Sequence, residues 1–153
     1  MPEPNDNHVI FNAEGLILGR MANAVARRLL TGGTVYVVNA EKAIVSGRRS
    51  SLVRQWKDFL DVKSVANPAK YGPFHSRRPD RILRDAVHGM LPMDKARGIS
   101  SLKRLRVYIG IPESFKGSAM ETIPEASLER LKGRYVVLGD LAAEIGWKRQ
   151  GVD

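Results

Sequence analysis

The sequence contains no cysteine, which excludes a disulfide framework and any thiolate metal site and suits a reducing compartment. Histidine is almost as scarce: His8, His75 and His88 stand singly, and no spacing marks a metal-ligand set. No apolar run approaches the roughly 18 residues of a membrane span, and the polar opening MPEPNDN resembles no signal peptide. A soluble, cytoplasmic protein without a membrane partner is the expectation. Two nucleotide fingerprints are also missing. Gly15 and Gly19 in AEGLILGRMA stand between a strand and a helix, as in a phosphate-binding turn. Yet neither G-x-G-x-x-G nor G-x-x-x-x-G-K-[ST] occurs, so no cofactor and no small-molecule substrate is expected. Close packing against the sheet is the role predicted for these glycines.

Positive charge is present in excess, and unevenly. Of the net +9 carried by 153 residues, the stretch from Arg48 to Arg106 holds fifteen Lys or Arg against five Asp, while the remainder holds ten basic and eleven acidic residues. A solvated surface normally mixes both signs to limit self-repulsion, so segregation of this kind is the footprint of a polyanion. The densest part is YGPFHSRRPDRILRD (71–85), with Arg77, Arg78, Arg81 and Arg84 within eight positions. Lipid headgroups fit less well than nucleic acid, because no stretch joins such charge to an exposed aromatic and leucine face.

A length of 153 residues with 43% hydrophobic content suits one domain, 1–153, that buries roughly two-thirds of its unfolded surface. HVIFNA (8–13) reads as a strand, followed by a helix with Met21, Ala22, Val25 and Leu29 inward and Gly32 and Gly33 as its stop. TVYVVNAEKAIV (34–45) is a near-continuous apolar run of the type buried in a parallel sheet. RRSSLVRQWKDFLDVK predicts a helix with Leu52, Trp56, Phe59 and Leu60 inward, Arg49, Arg54, Lys57 and Lys63 outward, and Ser46 or Ser50 as its cap. Residues 64–78 hold two prolines and a glycine without a period, and should form an extended exposed loop.

Pro79 then opens a helix, PDRILRDAVHGML, with Ile82, Leu83, Ala86, Val87 and Met90 inward and the arginines outward. Asp94 is the expected N-cap of the basic helical stretch KARGISSLKRL, and RVYIGI (106–111) the strand after it. PEASLERL predicts a helix, RYVVLG a strand and DLAAEIGW a last helix; there is no internal repeat. Strands alternating with helices imply an α/β fold built on a right-handed parallel unit.

Acid–base chemistry finds little support. Asp58 with Asp61, and Asp80 with Asp85, are spaced so that they can hold magnesium for a nuclease, but each lies among arginines or lysines and is read as moderating repulsion. No residue is spaced to mark His75 as a general acid, leaving it as an RNA contact or a buried hydrogen bond. Trp56, Phe59 and Trp147 read as core. Tyr71 and Phe74 interleave with glycine, proline and arginine, and either stack on a splayed base or pack under their loop. The competing reading is a nucleotide-binding or RNA-processing enzyme on a Rossmann-like sheet, resting on fold analogy with residues 8–31.

VHGMLPMDKARGISSLKRLRVYIG (87–110) resembles the signature segment of the large-subunit ribosomal protein family L thirteen. Gly89, Met90, Leu91, Pro92, Gly98, Leu105, Val107, Tyr108 and Gly110 occupy its positions. EGLILGRMA, VVNAEKAIVSG, PDRI and LGDLAAEIGW are similar to other stretches of that family in the same order, and the 71–84 loop and closing tail look like its archaeal and eukaryotic branch. His88 and Ile99 depart from the pattern, standing where many members carry Lys, Arg or Glu. The resemblance implies a three-layer α/β domain, its small, largely parallel sheet flanked by helices, with a basic loop and helix excursion in the middle third. It further implies a structural and assembly role in the large ribosomal subunit, with ribosomal RNA and neighbouring ribosomal proteins as partners. The residues expected to meet RNA are Arg48, Arg49, Lys57, Lys70, Tyr71, His75, Arg77, Arg78, Arg81, Arg84, Lys95, Arg97, Lys103 and Arg104.

Overall fold

The computed structural model describes residues 8–148; the opening MPEPNDN and the residues from 149 on lie outside the described residues. Along the chain the elements are β1 (His8–Asn12), α1 (Leu18–Leu30), β2 (Thr34–Val38), β3 (Ile44–Ser46), α2 (Arg49–Asp61), α3 (Pro79–His88), α4 (Ala96–Lys103), β4 (Leu105–Val107), β5 (Tyr135–Val137) and α5 (Leu138–Glu144), with short 3-10 turns between them. β2 is the centre of a parallel three-stranded sheet: Val9 and Phe11 of β1 lie opposite Val35 and Val37, and Val37 lies opposite Val107 of β4.

Both faces of this sheet are covered, which is why β2 is apolar at consecutive positions rather than alternating. One face, with Val9, Phe11, Val35, Val37 and Leu105, packs on Met21, Val25 and Leu29 of α1 and on Leu83 and Val87 of α3. The other face presents Ile10, Tyr36 and Val38 to Tyr108, Phe115 and Met120, with the Tyr36 and Phe115 rings 5.0 Å apart. Irregular chain and the 3-10 turn Glu113–Phe115 cover that face where a helix would otherwise lie. Glu121 seals the outer edge of β1: its carbonyl accepts from the Asn12 N–H (3.2 Å) and its own N–H donates to the Ile10 carbonyl (2.8 Å).

The run 34–45 does not continue as one strand. It breaks at Asn39, which adopts left-handed backbone (φ 56°) and donates from Nδ2 to Asn12 Oδ1 at 3.0 Å. After a 3-10 turn at Ala40–Lys42, β3 leaves the main sheet and pairs antiparallel with β5. Leu52, Val136 and Leu141 join α2, this small sheet and α5 into a satellite core.

Other expectations also need correction. On α2 only Leu52 is buried; Trp56 and Leu60 are half-buried, and Phe59 is 51% exposed. α3 ends at His88, so Met90 falls on the turn beyond it and is 44% exposed. Neither Ser46, Ser50 nor Asp94 caps a helix: Arg48 and Lys95 hold the N-cap positions of α2 and α4 with no side-chain cap. PEASLERL folds as two 3-10 turns, Pro124–Ala126 and Leu128–Arg130, with Ser127 Oγ accepting from the Glu129 N–H. The chain here is also tied to the glycine turn, since Ile17 N–H donates to Ala126 O and Leu128 N–H to Gly15 O. At that turn a Cβ on Gly15 or Gly19 would meet nothing within 4 Å; Gly15 supplies a left-handed residue (φ 72°), not close packing.

Candidate nucleic-acid interface

α2 turns its polar side outward because Leu52 alone is fully claimed by the core, leaving Arg48, Arg49, Arg54 and Lys57 exposed. These four line a wide groove of about 1040 Å³, whose opposite wall is Arg134 and Tyr135 at the approach to β5. Arg49 is paired with Glu144 of α5. The Arg48, Arg54, Lys57 and Arg134 side chains make no ion pair or hydrogen bond among the described residues.

The 64–78 loop runs beside α2 and keeps its aromatic residues on the surface, Tyr71 at 57% and Phe74 at 75% exposure. Lys70 Nζ lies 5.2 Å from the Tyr71 ring centroid, a cation–π contact. His75 is half-buried with its ring centroid 3.7 Å from that of Phe59, and its Nε2 is shielded from solvent without a hydrogen-bond partner among the described residues.

At the start of α3 the arginines divide by task. Arg78 forks onto Asp80, Nε to Oδ1 and Nη2 to Oδ2 both at 3.1 Å, so Asp80 moderates charge as expected. Arg77 lies over Gly146 just past α5: a Cβ there would be 2.8 Å from its Nη1. Arg81 and Arg84 project from the outer side of α3 without partners among the described residues. Among the same residues there is no group of three or more His, Asp or Glu able to hold a metal.

Arg97 and Arg104 are held elsewhere, at the C-terminal end of α1. Arg97 Nη2 donates to Leu30 O (2.9 Å); Arg104 donates from Nη2 to Leu29 O (2.8 Å) and from Nε to Gly33 O (3.3 Å). Arg97 satisfies a carbonyl that the helix end leaves unpaired, Arg104 joins the Gly32 N–H and the Ser101 hydroxyl on Leu29 O, and both place cations where the helix dipole favours them. Lys95 and Lys103 on the same segment are exposed and unpaired among the described residues.

Two further basic contributors lie outside the 48–106 stretch. Arg134 joins the α2 groove from 86 positions beyond Arg48, and Arg130 joins Arg20, Arg27 and Arg28 of α1 along a second groove of about 670 Å³. The helical spacing of the α1 arginines marks their face, and Arg130 and Arg134 flank Lys132 in RLKGR, a short basic cluster.

Among the described residues no helix is long and apolar enough to cross a membrane. Residues 6–114 match the family model described as Ribosomal protein L13. The large ribosomal subunit protein uL13 of Aeropyrum pernix is 43% identical over 141 residues, covering 92% of this chain and 90% of the relative. Its counterpart in Saccharolobus solfataricus is 40% identical over 139 residues, 91% of this chain and 93% of that one. For Methanopyrus kandleri the identity is 39% over 153 residues, 98% and 94%. A match over most of the chain, joined to archaeal relatives aligned almost end to end, makes this chain a member of the ribosomal protein L13 family.

Proposed function

We propose that the chain is a structural constituent of the large ribosomal subunit, in the cytoplasm, that binds large-subunit ribosomal RNA and helps it fold during assembly. It acts as one domain, beside neighbouring ribosomal proteins and without catalysis. The observation that carries this reading is the basic excess between Arg48 and Arg106, of which a net +6 from Arg48 to His88 is displayed on α2, the 64–78 loop and α3, with ion pairs only at Arg49 and Arg78 among the described residues. Lysines and arginines there neutralise phosphates and release counterions, each contact steepening the salt dependence by roughly 0.7–0.9 log units per log unit of salt. Guanidinium groups also fork onto phosphate oxygens and stack on bases, which suits a defined RNA surface such as a junction. The identity of the relatives as large ribosomal subunit proteins supports the ribosomal setting.

The test is filter binding of a transcript of archaeal large-subunit ribosomal RNA. Changing Arg77, Arg78, Arg81 and Arg84 together to Ala should preserve the circular dichroism spectrum, weaken binding by at least tenfold and flatten the salt slope by roughly three. Unchanged affinity would remove this surface from the RNA contact. In lysate, a tagged copy should sediment with the large subunit and leave it on RNase treatment; migration as a free, RNA-less protein would overturn the ribosomal reading.

A further inference from the structure

We propose that the groove between α2 and α3 receives a single unstacked nucleobase of the bound RNA, an inference that rests on reading the basic surface as an RNA face. The groove has a volume of about 410 Å³, within the range of about 300–1,000 Å³ typical of small-molecule sites. Its walls are aromatic. Phe59 and Phe74 are 51% and 75% exposed, and Trp56 lines the groove beside them. Phe59 stands edge-on to Trp56, with centroids 6.4 Å apart at 79°, and its ring also meets His75, so a planar ligand finds preset aromatic surfaces.

The polar groups point to the same occupant. His75 lines the groove and its Nε2 is withdrawn from water without a partner, a cost that a hydrogen bond from a base edge would recover. Ser76 and the Asp85 carboxylate supply further hydrogen-bonding groups in the same lining. A purely aliphatic side chain from a neighbouring protein would leave all three unanswered.

Charge selects between a nucleotide and an uncharged ring. The lining itself carries one carboxylate, Asp85, and basic residues stand on the segments that form the groove: Lys63 just after α2, Lys70 on the loop, Arg81 and Arg84 on α3. A base inserted here carries its phosphates onto that rim. Stacking on aromatic side chains combined with backbone neutralisation is how unpaired RNA is held.

Ultraviolet crosslinking of the chain to the archaeal ribosomal RNA transcript, read by mass spectrometry, should join one unpaired nucleotide to the peptide carrying Phe74 and His75. Phe74→Ala, at a surface side chain whose loss leaves the fold intact, and Phe59→Ala should each weaken RNA binding about 5- to 150-fold with no change in salt slope. An abasic substitution at the crosslinked nucleotide should cost the parent chain a similar factor and cost Phe74→Ala little more. Parent affinity in both variants, while the four-arginine variant loses binding, would overturn the pocket and leave the RNA face standing. Loss in neither set would overturn the RNA face itself. A Phe74→Ala chain that binds RNA normally but is depleted from large subunits would assign the groove to a neighbouring protein and likewise overturn the proposal.

Discussion

Gly98 presents its bare Cα to the backbone of Pro92: a Cβ at that position would lie 2.1 Å from the Pro92 carbonyl oxygen and 2.5 Å from its carbon. Glycine weakens a helix by roughly 0.5–1 kcal/mol relative to alanine, so its place in α4 is explained by the contact and not by helix formation. The turn at Pro92 is backbone and cannot swing aside as a side chain would. Gly98→Ala should therefore cost about 3 kcal/mol, at the upper end for overpacking, and lower the Tm by roughly 6–12 °C for a chain of this size. Thermal unfolding followed by circular dichroism checks it, and an unaltered Tm would mean that α4 can shift off Pro92 freely.

Arg104 should behave as a stabilising residue and not as an RNA contact. Its guanidinium serves Leu29 O, Gly33 O and Ser101 Oγ at once, a fork that one lysine ammonium cannot reproduce. Arg104→Met is expected to lose about 1.5–3 kcal/mol in urea unfolding, with Arg104→Lys recovering only part. RNA affinity and its salt slope should remain near the parent values. A flattened slope with unaltered stability would place Arg104 on phosphate instead.

The contrast between Arg104 and Arg81 shows where sequence reading stops. Both stand in basic runs, but only Arg104 has carbonyl partners, and the one on Leu29 lies 75 positions away. Charge excess is a sum over residues and can be counted; its expenditure on the fold depends on contacts that no local pattern records. Four of the five buried residues of α1 were legible because one core face imposes a helical period on Met21, Ala22, Val25 and Leu29. The break at Asn39 was not, because Asn12 holds it from the neighbouring strand. Phe59 was misplaced for a related reason: the same period describes a residue facing the core and one facing the groove.

Glu41 offers a test of how the 3-10 turn after β2 is anchored. It is 6% exposed and its Oε2 accepts from the Gly110 N–H at 3.0 Å, while the Asn39 N–H donates to the Gly110 carbonyl at 3.0 Å. Glu41→Gln retains an acceptor of the same reach and should stay within about 1 kcal/mol of the parent, whereas Glu41→Ala strands the Gly110 N–H and should cost about 1–3 kcal/mol. Urea midpoints compare the two. Equal damage from both would mean that the negative charge, not the acceptor, is what the turn needs.

Met90 and Leu83 separate the structure from the sequence pattern most sharply, because the pattern places both in the core. Leu83 has no exposed surface and packs between α3 and the main sheet; Met90 lies beyond the end of α3 with 44% of its surface in water. A carboxylate at the first position would be buried without a partner, at a cost larger than the whole stability of an ordinary domain, whereas at the second it stays hydrated. Leu83→Asp should abolish the cooperative melt. Met90→Asp should keep it, with a stability change of about 0.5 kcal/mol, as for other surface changes. If Met90→Asp also unfolded the protein, α3 would have to extend past His88 in solution and carry Met90 back under the sheet.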